Sequence, residues 1–516
     1  MQTLKDLINH HAQEYANKPA FIGANFSCTF RELNERISRL NNGLASLGVC
    51  KGDRVGILAY NCPQTFEVFG LAKAGRIAVP LNFRSVGREM TFLIQNSGIH
   101  TIVVEREFVP LIESIRSEIP HVRNFICLDA SVPGMLNYEE LLSHASPAEA
   151  EDEVRPEDPC IIFYTSGTTG RPKGAVHTHQ SILSETSVPY RDLSPSDVAL
   201  CVMPFFHVGG SAAHLFPAFA AGATLVTQQK FDETLVLESI AKYKVTYIYL
   251  VPAMVLRVLE HPHLADYDLT SLRTVAYTGA PIPLEVLKKG IACLGQVFIQ
   301  FLGQTETLDM TVLRKEEHML EGSPRELKRL ESTGKPPYPG ELRIVDEGGQ
   351  DVSLGHVGEI VAKSPRMMQG YWEMPEATAE TIVGGWLHTG DLARMDEDGY
   401  VYIVDRKKDM IISGGENIYS REVEEVLYMH PAILEAAVIG VPDDKWGEAV
   451  KALVVPKPGA SVTEEDVIEF CKKNLAGYKK PRSVEFWDTL PKTGSGKIMK
   501  NEIREKYWQG HTRRVH

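Results

Sequence analysis

The chain's eight cysteines (28, 50, 62, 127, 160, 201, 293 and 471) include no Cys-x-x-Cys pair. They stand singly among apolar residues, as in Cys160-Ile161-Ile162 and Cys201-Val202-Met203, the pattern of reduced core thiols in a cytoplasmic protein. Low-complexity tracts are absent, and a composition of 43% apolar and 23% charged residues belongs to an ordinary globular chain. Positive charge is scarce: 54 Lys and Arg face 67 Asp and Glu, and the formal net charge of −13 repels nucleic acid and anionic membrane surfaces. Any anion must therefore be held by a local site. The opening MQTLKDLINHHAQEYANKPAF places charges among its apolar residues, lacks a signal-peptide core, and is expected to form an amphipathic surface helix.

One stretch, 198–229, has no Asp, Glu, Lys or Arg and is long enough to cross a bilayer. However, Pro204, His207, Gly209, Gly210, His214, Pro217 and Gly222 break it into strand, loop, helix and strand, so a buried core segment is expected instead of a transmembrane one.

A chain of 516 residues is too long for one core. Short β-rich runs alternate with helical patterns: RVGILAY (54–60), RIAVPL (76–81), TIVVE (101–105), FICL (125–128), CIIFY (160–164), VALCVM (198–203), TLVT (224–227) and VTYIYLV (245–251). Such alternation predicts an α/β fold of parallel sheets covered by helices. Segments 54–81 and 197–227 share one plan of strand, loop, small-residue helix, Ala-Gly turn and strand, which predicts two similarly built sheet subdomains. From 334 to 404 the texture changes to short strands broken by Gly and Pro, expected to form a small barrel-like unit. A compact α+β tail follows. The expected organisation is a large N-terminal domain over 1–404, a hinge at 405–408 and a small mobile C-terminal domain over 409–516.

The loop FYTSGTTGRPKGA (163–175) leaves a strand with many backbone N–H groups and hydroxyls to offer, which is how proteins cradle phosphate. It is not a Walker A loop, because Pro172 lies five residues beyond Gly167 and Ala175 five beyond Gly170. PKTGSGKI (491–498) fails the same register, with Pro491 where the first glycine would stand.

Together with MPFFHVGG (203–210), YTGAP (277–281), GQTE (303–306), GWLHTGD (385–391) and DRKKDMIISGGENIYSREVE (405–424), these motifs resemble, in order and over nearly the whole chain, those of the adenylate-forming superfamily. That superfamily includes acyl-CoA synthetases, amino-acid adenylation domains and beetle luciferases. The resemblance implies that Mg-ATP activates a carboxylate to an acyl-adenylate, releasing pyrophosphate, and that a thiol, usually that of coenzyme A, then captures the acyl group. ATP, Mg2+ and coenzyme A are thus the implied cofactors and co-substrates. Two anions must meet, so the protein's task is chiefly positioning and charge neutralisation.

The same resemblance assigns roles. Thr165, Ser166, Gly167, Thr168, Thr169 and Gly170 would close over the β and γ phosphates with Lys173 behind them. Glu306 would hold Mg2+ and Thr305 would contact the α-phosphate. Asp391 would accept hydrogen bonds from the ribose hydroxyls, Arg406 would donate to ribose or phosphate, and Gly279, Ala280 and Pro281 would wall the adenine, with Gln300 in the same nucleotide site. Lys497 would reach the junction of carboxylate and α-phosphate as the catalytic cation. Lys408 would be the hinge, and Ser413, Gly414 and Gly415 would flank the pantetheine tunnel. One departure is Leu302, where the family usually has an aromatic residue stacked on adenine; neighbouring Phe301 would point elsewhere.

Two-carbon specialists carry a tryptophan where this chain has Gly303. Its absence, with His207, Val208, Gly209, Gly210, Leu308 and Met310 as lining, implies a larger acid. The expected activity is an AMP-forming ligase joining a medium- or long-chain fatty acid to coenzyme A. An aryl or cinnamate-type acid is the alternative, and a carrier-protein acceptor or a non-catalytic adenylate-binding role are the others. MPFFHVGG contains no acid of the kind that holds an amino-acid ammonium. A homodimer is a further expectation, as is a peripheral membrane contact if the acid is long-chain.

Overall fold

The computed structural model describes residues 1–23, 26–165, 172–188, 190–279, 282–337, 339–492 and 498–509. The first helix, Leu4–Glu14, starts at a capping box in which Thr3 and Asp6 satisfy each other's backbone N–H groups. Leu4, Leu7, Ile8, His11 and Ala12 form its buried stripe, which is the expected amphipathic helix.

Two eight-stranded sheets dominate the molecule. In the first, Thr274–Tyr277, Tyr247–Leu250, Val198–Cys201 and Thr224–Thr227 run parallel. In the second, Ile77–Pro80, Arg54–Leu58, Thr101–Val104 and Asn124–Cys127 do the same. The two segments of shared plan thus fall in different sheets, each supplying a pair of adjacent parallel strands. The uncharged segment is buried between strands as the turn Ser211–Leu215, wound as a π-helix, and the short helix Phe216–Ala220. Among the described residues no helix is long and apolar enough to cross a membrane.

The largest core lies between the sheets and is rich in aromatic rings, with Phe66 and Phe219 centroids 4.4 Å apart. Residues 341–406 form a five-stranded antiparallel sheet around Ile344, Ile360 and Val401. A second five-stranded sheet, packed by Ser420–Tyr428 and Glu464–Asn474, makes the C-terminal unit with its own core.

Parallel order ends at the sheet edges that matter most. Pro159–Thr165 is parallel to Ile77–Pro80 on one side and antiparallel to Lys173–Thr178 on the other. Phe298–Gln304 is likewise parallel to Thr274–Tyr277 and antiparallel to Leu308–Leu313. Thr305 and Glu306 thus lie at the tip of a hairpin that ends its sheet, and Thr165 and Lys173 close the last described pair of the other hairpin, whose outer side is covered by Gly370–Tyr371.

Candidate active site

The phosphate-type loop springs from a hairpin in which Thr165 pairs with Lys173, and the Thr165 hydroxyl donates to the Lys173 carbonyl at 3.4 Å. Ser166, Gly167, Thr168, Thr169 and Gly170 lie outside the described residues, as do Ala280, Pro281 and Lys497.

The second hairpin carries Thr305 and Glu306 at its tip. A bulge between Leu302 and Gly303 and a left-handed Leu308 (φ 54°) make the turn tight. A Cβ on Gly303 would stand 2.5 Å from the Leu308 carbonyl oxygen, so glycine is demanded here by the backbone itself, whatever acid is bound. Gly303→Ala is expected to displace the Thr305–Glu306 tip and lower AMP formation by about 10- to 100-fold. Pyrophosphate release by a variant with an unaltered circular dichroism spectrum checks this.

Two contacts bind the hairpins together. His177, buried in the strand after the phosphate loop, has Nε2 2.8 Å from the Thr305 carbonyl oxygen. A carbonyl only accepts, so Nε2 carries the proton; burial pushes the imidazole pKa down to about 4 and keeps it neutral. Tyr371, on the short strand Gly370–Tyr371 that extends Lys173–Thr178, donates its hydroxyl to Glu306 Oε1 at 2.8 Å. Burial, then the Glu306 charge, hold the phenol above its ordinary range, so it remains a donor. The Lys173 ammonium lies 4.8 Å from the centroid of the Tyr371 ring. One tyrosine thus joins the cation of one loop to the carboxylate of the other.

The expected ribose ligand is held by its neighbours. Asp391 pairs across the ladder with Arg406, whose Nε is 3.1 Å from Oδ1, while Gln304 Nε2 donates to Oδ2 at 2.7 Å and to the Thr389 carbonyl at 2.9 Å. The Asp391 charge, above all, raises the Arg406 pKa. Each carboxylate oxygen keeps a lone pair for an incoming hydroxyl. Gly279 has φ 88°, a conformation suited to glycine, at the turn after Thr274–Tyr277. Gln300 is buried, accepting from the Tyr277 hydroxyl at 3.2 Å, and that hydroxyl also lies 3.0 Å from His318 Nε2. Leu302 packs on the small antiparallel sheet, and Phe301 points to the opposite face against Tyr249, as its place in the strand predicts.

Val208 and Leu308 share one apolar cluster with Phe301 and Tyr249, while Gly209 N donates to His207 Nδ1 at 3.1 Å. Gly210 has no room for a Cβ, which would meet the Pro204 carbonyl at 2.3 Å. Met310, expected beside Leu308, packs instead with Ile344 and Ile360 in the small sheet.

Segment 405–409, which contains the expected hinge, is tied on both sides. Arg406 holds Asp391, whereas Arg504 donates to Asp409 (2.7 Å) and to the Lys408 carbonyl (2.9 Å), and Asp405 accepts from the Ser420 hydroxyl at 2.9 Å. Burial lowers the Lys408 pKa. Ser413 ends the strand Ile411–Ser413, and Gly414 (φ 62°) and Gly415 (φ 86°) form the tight turn into Glu416–Ile418.

His177, Tyr371 and Gln304 carry these connections, yet nothing in the sequence assigned them a role. The local signals were a histidine in the strand KGAVHT after the loop and the place of Gln304 inside the GQTE motif.

Family models agree with this geometry: AMP-binding enzyme over residues 8–372 and AMP-binding enzyme C-terminal domain over 422–497. The chain is 38% identical to a feruloyl-CoA synthase from Amycolatopsis sp, across 93% of this chain and 94% of that protein. It is 36% identical to the fatty acid–[acyl-carrier-protein] ligase ScoC of Streptomyces coeruleorubidus, across 100% and 98%. The crystal structure of the anthranilate CoA ligase AuaEII with anthranoyl-AMP superposes with a TM-score of 0.88 at 29% identity, covering 98% of this chain and 97% of that one. The chain belongs to the AMP-binding enzyme family, among its AMP-forming carboxylate–CoA ligases.

Proposed function

We propose that this chain activates a hydrophobic monocarboxylic acid with Mg-ATP and transfers the acyl group to coenzyme A in two half-reactions. The observation that carries the reading is the Lys173–Tyr371–Glu306 assembly, which sets a cation and a carboxylate at the mouths of two facing hairpins. Glu306 Oε1 is taken by Tyr371, and Oε2 has no hydrogen bond among the described residues. A hard carboxylate oxygen of this kind fits Mg2+ held mainly by phosphate oxygens and water. Thr165, Thr305 and Lys173 would orient the phosphates, Asp391 and Arg406 the ribose, and Lys497 the reacting carboxylate. Lys408 is the proposed hinge between 1–404 and 409–516, with Ser413, Gly414 and Gly415 serving the coenzyme A thiol. A cytoplasmic homodimer completes the reading.

A medium- or long-chain fatty acid has the support of the ScoC relative. The aryl alternative has that of the feruloyl-CoA synthase and of AuaEII. Polar side chains without partners beside Leu308 and Phe301 favour the aryl acid and leave less reason for a membrane contact.

The test is AMP and pyrophosphate release with Mg-ATP across acetate, hexanoate, palmitate, benzoate and coumarate, with and without coenzyme A. We expect release that depends on coenzyme A, strongest with an aromatic acid and weakest with acetate. Turnover with none of them by folded protein sinks the ligase reading.

A further inference from the structure

Beside the proposed acyl pocket lies a set of buried polar groups that the nucleotide chemistry does not use. Tyr247 and Tyr249 point from one strand into the core that contains Val208, Phe301 and Leu308. His214 sits on the π-helical turn directly after the His207–Gly210 segment, its ring 5.5 Å from Tyr249 and 5.6 Å from Tyr247. Arg191 lies over Phe301 at 4.6 Å and donates to the Ala213 carbonyl of that turn at 2.6 Å.

These four side chains are almost completely buried: Tyr249 is 0% exposed, Tyr247 1%, His214 1% and Arg191 4%. Yet the Tyr249 hydroxyl, both ring nitrogens of His214 and Arg191 Nε have no hydrogen-bond partner among the described residues. An unmet buried polar group is costly, and several at one place call for a ligand or water to meet them. The Tyr247 hydroxyl likewise has no hydrogen-bond partner among the described residues.

The charges nearby are already matched. Arg191 pairs with Glu185 and with Asp309 (2.5 Å), and Arg366 stands 3.9 Å from Glu185 and donates to the Asp309 carbonyl at 3.1 Å. Two guanidinium groups face two carboxyl groups, so the capacity left over is that of neutral donors and acceptors. His214 is kept neutral by burial and by Arg191, with its pKa down to about 3, so it offers one donor and one acceptor. Aromatic faces of Tyr249 and Phe301 complete the surround.

We propose that Tyr249, His214 and Arg191 form a recognition site for a neutral hydrogen-bonding substituent, such as a phenolic hydroxyl, on the ring of an aromatic acid. This rests on the reading of His207–Gly210 and Leu308 as the acyl wall. It makes Tyr249 and His214 specificity-determining residues, because a site built to pair a hydroxyl rejects an acid that leaves its own groups unmet.

The experiment compares kcat/KM for thioester formation with 4-hydroxycinnamate, cinnamate, 4-carboxycinnamate and decanoate, in the full-length protein and in Tyr249→Phe and His214→Leu. We expect the wild type to favour 4-hydroxycinnamate over cinnamate by about 10- to 100-fold, and each substitution to shrink that ratio at least about tenfold, mainly through KM. The melting temperature of Tyr249→Phe should stay level or rise, because the lost hydroxyl has no partner in the free protein. A wild-type ratio near one, a preference for the carboxylate-bearing acid or decanoate, or an unaltered ratio in Tyr249→Phe overturns the proposal and leaves the ligase reading standing. Absence of AMP release from any acid fails the ligase reading instead. Calorimetric titration with 4-hydroxycinnamate and cinnamate then reads the same preference without turnover, and equal or undetectable binding of the two overturns the site.

Discussion

Glu306→Gln is expected to cut AMP formation by about 100- to 1,000-fold, with little change in melting temperature. Glutamine keeps the volume and can still accept the Tyr371 hydroxyl bond at 2.8 Å, so the hairpin tip should hold its shape. What it loses is the negative charge, and with it the carboxylate oxygen proposed to face Mg2+. Tyr371→Phe makes the useful contrast: it leaves the charge but frees the carboxylate to swing, and a loss of about tenfold is expected from positioning alone. Pyrophosphate release at saturating ATP, read beside a Mg2+ titration, separates the two. A Glu306→Gln enzyme that retains wild-type rate would remove Glu306 from the chemistry.

Arg191→Leu should be the most destabilising single change proposed for this chain. Arg191 is buried between Glu185 and Asp309, and its removal leaves two buried carboxyl groups facing one guanidinium, that of Arg366, at a cost of about 3–5 kcal/mol. The effect should depend on pH with a defined sign. Burial first, then the Asp309 charge, already lifts the Glu185 pKa well above the carboxylate range, and burial lifts that of Asp309. A carboxyl whose folded pKa exceeds its unfolded one binds more protons when folded, so stability falls as pH rises from the ordinary carboxylate range towards the raised value. Without Arg191 both values climb further. The deficit in urea midpoint should therefore be greatest near pH 8 and shrink towards pH 5; a deficit that grows on acidification contradicts the arrangement.

Much of the fold was legible because its signals are local. Short continuous apolar runs such as TIVVE and VTYIYLV mark strands buried on both faces, and their alternation with helical patterns points to parallel sheets, which is what Thr101–Val104 and Tyr247–Leu250 form. The capping box at Thr3 and the prolines and glycines of 198–229 act within a few residues, and they set the first helix and the absence of a membrane span there. The ordered motifs are equally local, so the sequence itself carries the family resemblance.

Partner choice was not. A strand pattern says which face is buried but not which neighbour covers it, so nothing near His177 announces Thr305, nothing near Tyr371 announces Glu306, and Gln304 finds Asp391 across 87 positions of chain. The bulge at Leu302–Gly303 and the left-handed Leu308 break the alternation, which is why Leu308 enters the central core while Met310 turns to the small sheet. The α/β class, the motif order and the reaction family rest on short-range pattern, each carried by residues a few positions apart. Packing alone brings the two hairpins to share a tyrosine and a histidine, and Tyr249, His214 and Arg191 to one buried place. Such meetings are made by packing between sheets, where residues distant in the chain are brought into contact by the burial of everything around them.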